Sequence, residues 1–138
     1  VPSSATITKP SNEPCVHTGL WSKCTVEKRL RQAGYIVKEV EDTTPARAGF
    51  SVKPLVLSLG RTRVEAFIYK DEKAVAAEIA KLDTVAVAPR GSTGNWESPP
   101  IFLRSGNLIA ILLSESPRQA EGVTLALTAG APQPGSPR

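Results

Sequence analysis

Apolar residues are most concentrated between positions 101 and 130 of the chain. The run 108–113 is unbroken, which is typical of a strand buried on both faces and is too short for a membrane span. Residues 105–107, Ser-Gly-Asn, favour a tight turn because Gly and Asn tolerate the positive φ that hairpin turns require. The pattern therefore predicts that residues 101–104 pair antiparallel with residues 108–113.

A helix is predicted directly after this hairpin. Ser116 can cap free backbone N–H groups, Pro117 suits the first helical position, and Gln119 completes a capping box. Gly130 is placed to end the helix. The apolar side chains that share one face at helical spacing are Ala120, Val123 and Leu127.

A similar pattern occurs earlier in the chain. Residues 55–59 and 63–69 read as two strands joined by a tight turn at Gly60, and Asp71 can cap a following helix. The apolar face of that helix consists of Val75, Ile79 and Leu82. We interpret the two segments as a duplicated strand-strand-helix unit, although any small α+β domain can produce such a coincidence.

The remaining segments complete the predicted order of elements. A helix is expected over residues 26–33 and a β-prone run over 35–40, with a short strand at 84–88 before the long loop 89–100. The prediction is an α+β fold, a two-layer sandwich whose mostly antiparallel sheet has its helices on one face. Residues 15–130 form the single domain, between an extended N-terminal arm (1–14) and an extended C-terminal tail (131–138), both rich in proline.

The composition is that of a globular protein, with 41% hydrophobic and 22% charged residues in 138. The chain starts at Val1 and contains no methionine, which we interpret as a mature, exported, periplasmic or otherwise extracytoplasmic polypeptide. In an exported chain, Cys15 and Cys24 are expected to form a disulfide. The alternatives are two free thiols, or a metal site that includes His17, although this spacing matches no common zinc pattern.

The net charge of +4 raises the question of nucleic acid. The basic residues are spread along the chain, and the cluster at Lys28, Arg29 and Arg31 is typical of the solvated face of a helix. Aromatic residues make up only 5%, too few for a stacking platform. The charge therefore favours an acidic protein partner or an anionic membrane surface over nucleic acid.

No residue set forms a catalytic signature. His17 is the only histidine, so no hydrolase triad can be assembled around another base. Glu39, Glu41 and Asp42 are typical of a solvated strand edge rather than of paired catalytic carboxylates. With no cofactor, haem or metal motif present, we predict a protein that is not an enzyme and has no cofactor.

Surface recognition is the remaining function class. Trp96 and Trp21 are candidate partner-binding anchors, because tryptophan gains most when it is buried in a partner's pocket. The alternative is that each ring covers the edge of the core. Arg90 in the same loop as Trp96 would suit an acidic or carbonyl-rich partner, and Pro132 and Pro134 in the tail are further candidate partner contacts.

Four segments carry a family resemblance: VEKRLRQAGYIVKE, RVEAFIYKDEKAVAAEIAKLD, NWESPPIFLRSGNLIAILLS and LALTAG. Over residues 26–130 the chain resembles a loose group of small exported bacterial domains, many of them lipoproteins, although the lipobox cysteine is missing from its start. The likeness implies export and an α+β fold, and no site is carried over. The chain also looks like a candidate for the small periplasmic subunit of a photosynthetic reaction-centre and light-harvesting complex.

Together these observations favour a non-catalytic, extracytoplasmic accessory subunit without a transmembrane segment of its own, docked on a larger membrane-bound assembly through its two arms. The alternative is a free-standing binding domain for a small ligand or an envelope glycan, which would use the loop 89–100. An enzyme with an unrecognised site is the third hypothesis.

Overall fold

The structure, a computed structural model, describes residues 15, 18–40, 47, 49–92, 94, 96 and 98–130. The predicted arms, 1–14 and 131–138, lie outside these residues. The helices are α1 (Lys23–Gln32), α2 (Glu72–Ile79) and α3 (Pro117–Thr128). The strands are β1 (Lys38–Glu39), β2 (Leu55–Ser58), β3 (Thr62–Ile68), β4 (Leu82–Asp83), β5 (Ala88–Pro89), β6 (Ile101–Ser105) and β7 (Leu108–Ser114).

Within the described residues, five strands form one antiparallel sheet in the order β1-β2-β3-β7-β6, and β4 pairs with β5 separately. The predicted hairpin of β6 and β7 is confirmed, with Ser105 opposite Leu108 and a φ of +55° at Gly106. The two hairpins join where β3 pairs with β7, with Ala66 opposite Ala110. These two strands are therefore the centre of the sheet.

Both faces of the central strands are buried. The even-numbered residues of β7 from 108 to 112 pack in one cluster with α1 and α3, whereas Ile109 and Ile111 pack in another with Val75 of α2. Because successive side chains of a strand point to opposite faces, α2 lies on the face opposite α1 and α3. The α+β class with a mostly antiparallel sheet is confirmed. The prediction of helices on one face is corrected, since an apolar strand buried on both faces needs cover on both.

This layering also bears on the predicted duplication. Each hairpin is followed by a helix, as the sequence pattern indicates. However, α2 and α3 lie on opposite faces of the same sheet, so the two strand-strand-helix segments do not pack alike. The structure does not confirm a duplicated unit.

The predicted helix starts are confirmed for α2 and α3. The Asp71 side chain accepts from the Ala74 N–H at 2.8 Å, and Ser116 accepts from the Gln119 N–H at 3.2 Å. The Gln119 side chain does not complete the capping box. It accepts a hydrogen bond from Thr62 at 2.7 Å instead and so ties α3 to the start of β3.

The first helix begins earlier than predicted. Ser22 caps it through a reciprocal capping box with Thr25, so the helix includes Lys23 to Gln32 rather than residues 26–33. Arg29, predicted to lie on a solvated face, donates at 2.9 Å to the carbonyl oxygens of Ala126 and Gly130 near the end of α3. It therefore links the two helices that cover one face of the sheet.

The predicted strand at 84–88 is wrong. Residues 84–87 form a turn between β4 and β5, in which the Asp83 carboxylate accepts from the N–H groups of Val85 and Ala86. Val87 adopts a φ of +54°, in the left-handed region, and its N–H donates to the Asp83 carbonyl at 2.7 Å. Side-chain capping by an aspartate thus outcompetes the β propensity of this Val- and Thr-containing run.

The segment before α1 is fastened at two points. Cys15 and Cys24 are joined by a disulfide, as predicted, so neither is a free thiol or a metal ligand. Asn107, buried at the β6–β7 turn, accepts from the Trp21 N–H at 2.7 Å and donates to the carbonyl oxygens of Trp21 and Tyr69. The turn residue therefore serves as a polar link between three distant segments.

Candidate functional site

The face of the sheet under α2 is covered in three different ways along its length. At one end, Phe50 stacks on Phe67 with ring centroids 4.1 Å apart. Next to this pair, the Glu78 carboxylate of α2 accepts from the Tyr69 hydroxyl at 2.8 Å and from both the N–H and the hydroxyl of Ser51. This end of the face is therefore closed, and the polar groups of Glu78, Tyr69 and Ser51 form hydrogen bonds with one another.

The hydrogen bonds at this closed end determine how its acidic groups ionise. Burial by itself would raise the pKa of the Glu78 carboxyl, but the hydrogen bonds from Ser51 and Tyr69 outweigh it and hold that pKa below its ordinary value. Burial, together with the Glu78 carboxylate, raises the pKa of the Tyr69 hydroxyl. Glu78 therefore stays ionised and ties α2 to Ser51 and Tyr69.

The middle of the face holds a buried ion pair. Glu65 in β3 is only 1% exposed, and Arg47 donates to its two oxygens at 2.9 and 2.6 Å in a bidentate arrangement. The Arg47 guanidinium also lies 4.1 Å from the centroid of the Trp96 ring, whose N–H donates to the Val87 carbonyl at 3.0 Å. Loop residues thus cover a charged position in a central strand.

The far end of the same face is open. Ser58, Arg63 and Leu113 are direct cross-strand neighbours in β2, β3 and β7 and so share one face. They form part of a pocket of about 290 Å³. Its described lining residues are Ser58, Gly60, Arg61, Thr62, Arg63, Ser98, Leu113, Ser114 and Glu115. Hydroxyl and guanidinium groups predominate among these side chains.

Two arginines give the pocket its chemical character. Arg63 has a side chain 34% exposed, and its Nε lies 3.4 Å from a Glu65 oxygen. That contact lacks hydrogen-bond geometry, and the buried Nε atom has no hydrogen-bond partner among the residues that the structure describes. Arg61 is exposed at the β2–β3 turn, where Gly60 adopts a φ of +82°. A guanidinium presents several donors in a planar fork that matches carboxylate and phosphate oxygens, so the pocket is suited to an anion.

Comparison with known proteins adds no family. No protein-family model, curated protein or solved structure matches this chain.

The described residues contain no group of three or more His, Cys, Asp or Glu side chains placed to hold a metal ion. None of their helices is long and apolar enough to cross a membrane.

The predicted partner-binding residues lie in different places. Trp21 is 2% exposed and packs in the core, with Arg29 4.8 Å from its ring centroid, so it covers the core rather than facing a partner. Trp96 is half-buried. Arg90 is exposed, but its Nε donates to the Ala80 carbonyl at the end of α2, and the arginine stacked on Trp96 is Arg47.

Other predicted residues lie outside the described part of the chain. These are Pro132, Pro134, His17, Glu41 and Asp42. Glu39 is exposed on β1 and pairs with Lys23 at 2.7 Å, in agreement with a solvated strand edge.

The residues that line the pocket were missed by sequence reasoning. Arg61, Arg63 and Glu65 follow a tight turn at alternating positions, which in a strand places them on one face. That alternation was a usable signal for a charged sheet face. The pairing of Glu65 with Arg47 could not be predicted from the sequence, because the two residues lie 18 positions apart and meet only when the chain folds.

Proposed function

We propose that this protein is a non-catalytic binding domain that holds an anionic group of its partner in the pocket at the β2–β3 turn. The observation that supports this most directly is the pair of guanidinium groups, Arg61 and Arg63, on the lining of an open polar pocket. The buried Glu65 carboxylate lies 3.4 Å from the Arg63 Nε, an ionic contact without hydrogen-bond geometry. Attraction between these opposite charges favours Arg63 conformations close to the sheet, and an arginine whose freedom is already reduced loses less of it on binding.

The proposal includes an extracytoplasmic location. Disulfides such as Cys15–Cys24 persist mainly in oxidising compartments. Alkylation of acid-quenched cells followed by mass spectrometry would test this location. We expect both cysteines to be protected from the reagent until reduction, and recovery of the alkylated pair without reduction would contradict it.

Binding is tested by titrating the ¹⁵N-labelled full chain with sodium acetate and, separately, with sodium phosphate at constant ionic strength. We expect saturable amide shifts at residues 58–63 and 113–115. Arg61→Gln and Arg63→Gln should each weaken binding, whereas Arg104→Gln, an exposed arginine of β6 outside the pocket lining, should not. Failure of both anions to produce saturable shifts would overturn the proposal.

The predicted role as an accessory subunit of a membrane assembly is compatible with this proposal, since the partner could be such an assembly. The arms 1–14 and 131–138, on which that role depends, lie outside the described residues. Membership of a photosynthetic reaction-centre complex therefore stays a prediction. Copurification of the chain with pigment-protein complexes from its own source would test it, and recovery of the chain free of them would count against it.

A further inference from the structure

We infer that the pocket binds a polyhydroxy carboxylate of the kind found in a sugar acid, in preference to a phosphate dianion. This inference rests on the proposed function, because it specifies the ligand of the same pocket. It depends on three properties of the described lining: its charge balance, its unoccupied hydroxyl groups and its volume.

The charge balance favours a monoanion. Among the described lining residues, the positive groups are Arg61 and Arg63, and Glu115 contributes a carboxylate. The Glu115 N–H donates to the Arg61 carbonyl at 3.1 Å, which places the two residues side by side. The negative charge of this exposed lining residue repels a phosphate dianion more strongly than a monoanion, and a carboxylate can accept hydrogen bonds from ligand hydroxyls.

The hydroxyl groups of the lining divide into two kinds. Thr62 donates to Gln119 and lies 2.7 Å from the Ser114 hydroxyl, which donates to the Ser116 carbonyl, so both are used within the fold. In contrast, no side-chain hydrogen bond within the described part of the chain engages Ser58 or Ser98. These two hydroxyls are available to a ligand that carries several hydroxyl groups of its own.

The volume limits the size of the ligand. Pockets for small molecules usually range from about 300 to 1,000 Å³, so a pocket of about 290 Å³ lies at the lower end. A single sugar-acid ring fits within this volume, whereas most of a dinucleotide or an extended peptide would lie outside the pocket. A carboxylate on the arginines would leave the ring hydroxyls to face Ser58, Ser98 and Glu115.

The inference is tested by isothermal titration of the full chain with four probes: D-glucuronate, D-glucose, acetate and inorganic phosphate. We expect glucuronate to bind on the order of tenfold more tightly than acetate, because two additional hydrogen bonds form. Glucose should bind more weakly than glucuronate, since it lacks the charge that the arginines recognise. Phosphate should also bind more weakly than glucuronate at neutral pH.

Two variants separate the contribution of the serine hydroxyls from that of the Glu115 charge. Replacing both free serines, Ser58→Ala with Ser98→Ala, should reduce glucuronate affinity to that of acetate and leave acetate binding unchanged. Glu115→Gln should raise the affinity for phosphate relative to glucuronate. Arg104→Gln again serves as the control and should change none of these affinities.

The possible failures are distinguishable. Equal affinity for acetate and glucuronate, or tighter binding of phosphate, would overturn the sugar-acid inference and leave an anion pocket. Absence of binding by acetate, glucuronate and phosphate would overturn the proposed function as well.

Discussion

Replacing Glu65 by glutamine tests whether a buried ion pair holds the loops over the sheet. The substitution keeps the shape of the side chain and removes its charge. Arg47 then loses its bidentate partner, and Arg63 loses the carboxylate that lies 3.4 Å from its Nε. Both guanidinium groups would remain beside a neutral amide, one end of which is itself a donor.

The expected loss follows from the geometry. Hydrogen bonds to charged groups contribute about 1.5 to 3 kcal/mol each, and removing one partner of a buried pair costs about 3 to 5 kcal/mol. Two features reduce this cost: the Arg47 side chain is 23% exposed and can rehydrate, and the glutamine oxygen can still accept one bond. We therefore expect the free energy of unfolding to fall by about 2 to 4 kcal/mol.

Urea denaturation followed by far-UV circular dichroism measures this change. Glu121→Gln, at an exposed position of α3, is the matched control and should change the free energy of unfolding by less than about 0.5 kcal/mol. A double-mutant cycle with Arg47→Gln isolates the coupling between the two side chains. A loss below about 1 kcal/mol for Glu65→Gln, with no measurable coupling, would refute the conclusion that this pair fastens the loops.

Three further predictions concern the fold. Asn107→Asp removes the donors to the Trp21 and Tyr69 carbonyl oxygens and places a carboxylate beside them, so we expect a loss of about 3 to 5 kcal/mol at pH 7 in urea denaturation. Part of this loss should be regained at pH 4, where the aspartate is protonated; a pH-independent difference from wild type would contradict it. The low pKa of Glu78 means that its ionised form stabilises the folded chain above the ordinary carboxyl pKa, and that this contribution is lost as the pH falls through its folded pKa. The difference in unfolding free energy between wild type and Glu78→Gln should therefore shrink on acidification. A difference that grows as the pH falls would contradict a stabilising role of the ionised carboxylate. Ser116→Ala should lower the free energy of unfolding by about 1 kcal/mol, and an unchanged denaturation midpoint would show that the cap is dispensable.

Local signals were sufficient to predict much of the fold. The two hairpins, the caps at Asp71 and Ser116 and the end of α3 at Gly130 each depend on residues within a few positions of one another. Such features can be read because turn and cap chemistry is decided by short stretches of backbone. The prediction of a strand at 84–88 was wrong for an equally local reason: the side chain of Asp83, directly before it, caps the N–H groups of Val85 and Ala86.

The rest depended on contacts between distant segments. Asn107 reads as an ordinary turn residue, yet its side chain satisfies the backbone of Trp21, far away in the chain. Likewise, the sequence around Glu65 does not indicate its partner: the carboxylate is buried and is bound by Arg47, which lies in a loop 18 positions earlier. Periodicity indicates which face of a strand a residue shares, but it does not tell which other segment will cover that face.

The position of the pocket follows from the lengths of two elements. The eight residues of α2 span about 12 Å, whereas the seven of β3 span about 23 Å, so this helix cannot cover the strand beneath it. On the opposite face, the twelve-residue α3 and the ten-residue α1 together provide a longer cover. The part of this sheet face that α2 does not reach is therefore closed by loops as far as Glu65 and is open beyond it. Because the open end exposes mainly Arg63 and hydroxyl side chains, and Leu113 is only 7% exposed, its contact with solvent costs little, and a binding pocket there does not require the core to be altered.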